Sequence, residues 1–492
     1  MLRNRFAAWT IIGISVLGLV ACGGSQQPAG TADSEKMPIT TASEEARAAY
    51  LQGRQLLDDL RFTDAHQYYL EAVQADPGFA MAHLRVANTS STAQDFFAAM
   101  RRAIETADSC SDAEKMQIRA FEAGVNGNPE VQRSQLEALV NTYPRDERAH
   151  NAYAIFLFGQ QEYESAIAEY QAATSINPDF APPYNQLGYA LRTVGDYDGA
   201  EDAFRTYTEL IPNQPNPYDS YAELLMKMGR YEESIANYER ALDVDPNFVA
   251  SYIGISNNQM FMSAMNEARE TLAGLEEIAR TDGERRQACT WAAVSYLHEN
   301  DVEKALIEVQ RRFDIAAETD DRAAISADLN LMGDILLSSG RAEEAAEKYE
   351  ASVEMMKTSD ATDDIKLATE RNHTHDMARV ALERGDFAVA SELASSYREA
   401  VSGPNIRFEV QQSHELGARL ALAQEDPQKA LADLEQANQQ NPEVLLLEAR
   451  AHLQSGDKVA ARTACEEVVD FNQLSVNLAY VRGQAWDMLE SL

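Results

Sequence analysis

The chain has 492 residues, with 79 acidic against 42 basic side chains and a formal net charge of -37. No polybasic run offsets this, so phosphate backbones and anionic headgroups would be repelled, which argues against nucleic acid as a partner. The length suits two or three ordinary domains or one long solenoid, and the acid excess makes a strongly solvated exterior.

Arg3 and Arg5 precede a short apolar run, Thr10 to Ala21, that closes on Leu19-Val20-Ala21-Cys22 and is followed by Gly23-Gly24-Ser25. A dozen apolar residues are too few to span a bilayer but match a signal-peptide core. The pattern closely resembles the lipobox of bacterial lipoproteins. The resemblance implies that residues 1–21 are a signal peptide and that Cys22 becomes the lipid-modified first residue of the mature protein. Several acyl chains there would hold the chain firmly to a membrane, since each buried methylene adds about 0.8 kcal/mol. No acidic residue directly follows Cys22, which in enterobacteria-like sorting implies the outer membrane, on its periplasmic or surface face. Residues 22–43, rich in Gly, Ser, Gln, Thr, Ala and Pro, predict a flexible tether. No later apolar stretch has the length of a membrane span.

Pro144, Pro178, Pro212 and Pro246 stand 34 residues apart, a period that points to an array of helix pairs. Around them the same residue types recur. One unit has Tyr184, Leu187, Gly188, Leu191, Ala200, Phe204 and Pro212. The next has Tyr218, Tyr221, Ala222, Leu225, Gly229, Ser234, Tyr238, Ala241 and Pro246. The unit before has His150, Tyr153, Ala154, Leu157, Ala166, Tyr170, Ala173 and Pro178, and an earlier one Gly53, Leu56, Ala65, Tyr69, Ala72 and Pro77. Small residues such as Gly188 and Ala200 allow helices to cross closely, and the large ones fill the space on either side. Glycine at 195, 229, 340, 385 and 456 suits the left-handed residue that ends a helix. Proline after Asp76, Asn177, Asp245 and Asn441 stops the second helix of a pair.

These residues closely resemble the tetratricopeptide signature. The resemblance implies an all-α solenoid of helix-turn-helix repeats wound as a right-handed superhelix, with about ten repeats. It is strongest over 147–248 and good over 46–79. Ser111 to Pro144 fits a degenerate unit with Leu136 and Leu139 in its second helix. Beyond Pro246 the small residue recurs at Ala268, Ala305, Ala345, Ala390, Ala430 and Ala461, with gaps of 37, 40, 45, 40 and 31. The polar stretch Arg280 to Arg286 reads as a seam. The expected division is therefore an N-terminal array over 44–282 and a longer-repeat array over 283–492. Tyr480 to Leu492 reads as the capping helix that a solenoid needs over its last apolar face.

Motifs for chemistry are absent. The chain has no HExxH, P-loop, GxSxG or dinucleotide-binding glycine cluster. His373 and His375 lie two apart on a helix and point to nearly opposite sides, so they do not readily share a metal. Neither enzymatic activity nor a cofactor nor a metal is expected. Cys110, Cys289 and Cys465 match no zinc pattern. In an exported protein two of them could pair, but Cys289 and Cys465 fall on the packed side of their repeats, where a cysteine serves as a small buried residue.

In tetratricopeptide proteins the concave face is lined by the first helix of each pair, at unit positions five, nine and twelve, which share one helix face. Carried over, that stripe holds Asn151, Asn185, Tyr189, Arg192, Asp219, Glu223, Met226 and Asn257. The asparagines suit the backbone of an extended peptide, and Tyr189 and Met226 an apolar side chain. The basic carboxylate clamp of chaperone-binding members is missing. The same stripe also reads as an ordinary wet helix face. The reading is thus a membrane-anchored scaffold that binds proteins or peptides of the cell envelope. A second reading, from a different class, is glycan capture similar to the SusD family, carried by exposed aromatics such as Trp291 and Trp486. The scarcity of tryptophan and the lack of long insertions count against it.

Overall fold

The computed structural model describes residues 36–90, 93–403, 406–473 and 475–492. The signal segment and Cys22 lie outside the described residues. Those residues form 25 α-helices and no strand, in twelve consecutive pairs followed by a single last helix. The fold is an all-α tetratricopeptide-type solenoid, with twelve pairs where about ten were expected. The chain divides into two compact units, one ending at Leu224 and the other running from Leu225 to Leu492.

The first unit holds α1 (Glu44–Asp58), α2 (Phe62–Ala75), α3 (Ala80–Thr89), α4 (Ala93–Thr106), α5 (Asp112–Val125), α6 (Pro129–Thr142), α7 (Glu147–Gly159), α8 (Tyr163–Ile176), α9 (Pro182–Thr193) and α10 (Tyr197–Leu210). Helix α11 (Pro215–Lys227) carries the boundary.

The repeat is built by two backbone devices. The first ends most of the leading helices. Residues 161, 195, 229 and 263 all have positive φ, and the next residue bonds back five positions. These bonds are Glu162 N to Leu157 O (2.9 Å), Asp196 N to Leu191 O (2.9 Å), Arg230 N to Leu225 O (2.9 Å) and Ala264 N to Gln259 O (2.8 Å). Each satisfies a carbonyl that the helix end would leave orphaned. The second device closes over the prolines. The carbonyls of Pro178, Pro212 and Pro246 each accept a hydrogen bond from the tyrosine six residues on, Tyr184, Tyr218 and Tyr252, all at 3.1 Å. His83 and His150 make the same closure with Pro77 (2.9 Å) and Pro144 (3.0 Å). Close crossing explains Gly188, where an added Cβ would stand 2.6 Å from the Phe204 ring.

Residues 36–43, read as the end of the tether, are instead bonded to the repeats of the first unit. The Met37 amide donates to Asp146, and the Thr40 amide to Glu114. Composition hides this because the contacts are backbone N–H groups meeting carboxylates far along the chain.

The second unit contains α12 (Tyr231–Val244), α13 (Val249–Phe261), α14 (Met265–Ile278), α15 (Asp282–His298), α16 (Val302–Glu318), α17 (Arg322–Ser338), α18 (Ala342–Lys357), α19 (Asp363–Glu383), α20 (Phe387–Ser402), α21 (Arg407–Ala423), α22 (Pro427–Leu434), α23 (Pro442–Ser455), α24 (Lys458–Val469) and α25 (Val476–Ser491). The seam expected at 282/283 falls at the start of α15, inside this unit, where Thr281 and Glu284 form a capping box. Its polarity belongs to a helix start.

The expected capping helix is α25, and it does more than cover α24. Ala479 and Val476 pack with Met260, Ala268 and Val294 near the start of the unit. Just ahead of α25, the Phe471 carbonyl accepts from Lys227 Nζ (2.8 Å), and Asn472 accepts from the Tyr231 hydroxyl (2.9 Å). Arg482 lies over the Phe261 ring at 4.9 Å. The end of the unit is thereby tied to its beginning.

Candidate peptide-binding groove

Six of the eight stripe residues belong to the first unit. Asn151 lies on α7 and Asn185 at the matching place on α9, and they line one cleft. Arg148, Asp58, Phe180 and Tyr207 also line it. Asn151 is only 1% exposed, and neither its Oδ1 nor its Nδ2 has a hydrogen-bond partner. The Oδ1 of Asn185 is buried and unpartnered as well. Leaving such a group unmatched costs about 1–3 kcal/mol, so buried orphans are rare and call for an explanation. An amide with donors and an acceptor matches the N–H and C=O of an extended backbone.

The two charged residues lining the cleft, Arg148 and Asp58, are paired with each other. Arg148 bonds the Asp58 carboxylate through both terminal nitrogens, one at 3.0 Å, and stacks on Phe180 at 4.4 Å. Burial works against charge on Arg148, but Asp58 beside it outweighs this and holds its pKa above the ordinary value. Burial and then the neighbouring Arg148 bring Arg54 down to about 10, which leaves it protonated at neutral pH.

Tyr189, Arg192 and Glu223 form a joint between α9 and α11. Arg192 pairs with Glu223 at 3.2 Å and stacks on Tyr189 at 4.8 Å. The Tyr189 hydroxyl donates to Ser220 at 3.2 Å, and its ring meets Phe204 edge-on at 5.1 Å. Asp219 is buried. These residues lock neighbouring repeats together, while Asn151 and Asn185 keep bonding capacity free.

Met226 and Asn257 lie in the second unit, 1% and 2% exposed. Asn257 spends its Nδ2 on the Ile253 carbonyl of its own helix (2.9 Å). Several charged groups inside this unit are matched with one another. Arg286 and Arg312 hold Asp328, Arg371 chelates Glu409 at 2.9 Å twice, Arg379 meets Asp334 at 2.9 Å, and Arg419 bridges Glu415 and Glu443. With α25 returning to its first helices, this unit spends its charged side chains on itself.

Reading by repeat position overlooked Gln117, which stands 34 residues before Asn151, and Arg148, which stands 34 after Glu114. Extending the period backward through the degenerate unit would have found Gln117, whereas Arg148 lies off the stripe positions. Cys110, Cys289 and Cys465 are free and buried, and burial raises the first two thiols to about 12 and about 11. Trp291 packs among Ile253, Leu275 and Ala288, whereas Trp486 is 52% exposed.

Family models match where the repeat is sharpest and again near the end. A TPR repeat model covers 157–195 and 222–255, and tetratricopeptide repeat models cover 181–214 and 421–484. The chain is a tetratricopeptide repeat protein, with the fold of an interaction scaffold. It is similar to a tetratricopeptide repeat protein from Parabacteroides merdae, with 14% identity, 52% of this chain and 97% of that chain covered, and a TM-score of 0.39. It is also similar to pilF of Pseudomonas aeruginosa, with 18% identity, 50% and 96% covered, and a TM-score of 0.30. A third likeness is to YrrB, described as a TPR protein with an unusual peptide-binding site, with 20% identity, 37% and 91% covered, and a TM-score of 0.28. No curated protein matches the chain.

Proposed function

We propose that this protein is a lipid-tethered scaffold that binds proteins or peptides of the cell envelope through the groove of its first unit. The observation that carries the reading is the Asn151 amide, buried in a cleft with both polar atoms unmatched, one repeat away from Asn185. No partner in the described fold uses that capacity, and an extended peptide would. The action is binding rather than catalysis, with no cofactor. The acidic exterior disfavours nucleic acid. The lipobox resemblance at Cys22 supports anchoring at the outer membrane, and a tether raises the effective concentration of a weak groove site.

A photo-crosslinking residue at Gln186, which lines the cleft, tests the groove in cells. Polypeptide adducts should form there and not at Glu164, exposed on α8. Equal yields at the two positions, or none at Gln186, would overturn the groove. Anchoring is tested separately. The Cys22→Ser variant should leave the membrane fraction, and continued partition with membranes would rule out lipid attachment.

A further inference from the structure

The first unit already holds a non-helical segment against its leading helices. Residues 36–41 (Lys-Met-Pro-Ile-Thr-Thr) precede α1 and meet the leading helices of the third and fourth repeats. The Met37 amide donates to Asp146 at 2.8 Å, and Gln117 Nε2 reaches the Met37 sulfur at 3.4 Å. The Thr40 amide donates to Glu114 at 2.7 Å, the Thr40 hydroxyl bonds the same carboxylate, and the Thr41 hydroxyl bonds Asp76. Lys36 pairs with Glu147. Met37 and Ile39 are 1% and 3% exposed, whereas Thr40 between these bonds is exposed. Alternating side chains in and out, with backbone N–H groups on side-chain acceptors, are what an extended peptide in a groove presents.

The register matters. Gln117 and Glu114 occupy the repeat positions that Asn151 and Arg148 occupy one period later. Asn151 and Arg148 line the cleft, so the bound segment and the cleft use equivalent positions of successive leading helices.

We infer that residues 36–41 are an exchangeable internal occupant of the groove, seated one repeat ahead of the Asn151 cleft, and that they display the partner it fits. That partner is an extended protein segment with a basic residue followed by apolar side chains at alternate positions, its amides donating to Asp146 and Glu114. This rests on the groove reading above. An internal segment competes at an effective concentration on the order of millimolar, which lowers the affinity of any external peptide.

The test uses the full chain and a fluorescent peptide, Lys-Met-Pro-Ile-Thr-Thr. Wild type should bind it weakly. The Met37→Ser/Ile39→Ser variant, which weakens the hold on the internal segment, should bind it about tenfold or more tightly. Adding Glu114→Gln should remove that gain. A folded double variant that binds no better than wild type overturns the inference. Should the double variant unfold, hydrogen exchange of the wild type decides. The Met37 and Thr40 amides should exchange well ahead of those in the middle of α5 and α7. Exchange together with those helices would make the segment a fixed part of the core and overturn exchangeability. Failure here with Gln186 adducts intact would sink this occupant alone, whereas loss of both would sink the groove.

Discussion

Nε2 of His150 meets the carbonyl of Pro144 at 3.0 Å, in the place where three later repeats put a tyrosine hydroxyl on a proline carbonyl. Its Nδ1 lies 2.6 Å from Glu169. A carbonyl and a carboxylate are acceptors, so the doubly protonated ring satisfies the two together. Burial works against the charged ring, but Glu169 and the Pro144 carbonyl outweigh it and raise the pKa above 6.5. The stability this pair contributes is therefore full below about pH 6.5 and is lost as pH rises through the folded-state value. Denaturant midpoints at about pH 6 and about pH 9 should fall more on raising pH in wild type than in His150→Tyr, which keeps the proline closure without a titrating ring. Identical pH dependence in the two proteins would show that the imidazole contributes nothing.

Gln161 takes the left-handed conformation, φ +62°, that Gly195 and Gly229 take one and two periods later. A side chain there costs about 1 kcal/mol relative to glycine. Gln161→Gly should raise stability by about that amount, and Gly195→Gln should lower it similarly. Urea denaturation measures both. A destabilised Gln161→Gly would mean that the Gln161 side chain contributes more than the strain costs.

The 34-residue period was legible because proline and glycine mark it over 144–246. It runs further in the structure, to Ser263 and Ala264, where no special residue announces the helix end and the backbone adopts it anyway. The asparagine stripe was likewise legible from spacing. The burial and orphaned amide of Asn151 were not, because they depend on how several leading helices converge. Gln117 was passed over because its repeat lacks the signature aromatics. The return of α25 to Met260 and Val294 joins residues about 180 to 220 positions apart, which no local pattern encodes. Residues 36–41 looked like linker by composition, and their order comes from Asp146 and Glu114.

Asp328 is a keystone of the second unit. Its side chain is fully buried, with Arg286 Nη2 at 2.8 and 2.9 Å and Arg312 Nε at 3.0 Å. Removing it leaves two largely buried guanidinium groups facing each other. Asp328→Ala should cost about 3–5 kcal/mol, read from the urea midpoint. A loss below about 1 kcal/mol would mean that water replaces the carboxylate at little cost.

The most direct test is the Asn151→Leu variant, near in shape to asparagine and unable to bond a peptide. An orphaned amide kept for binding predicts opposite changes in two readings. The variant should be as stable as wild type or more so, by about 1 kcal/mol. Its retention of peptides from an immobilised library should fall at least tenfold. A variant that retains the same peptides with undiminished affinity would contradict a groove built around Asn151.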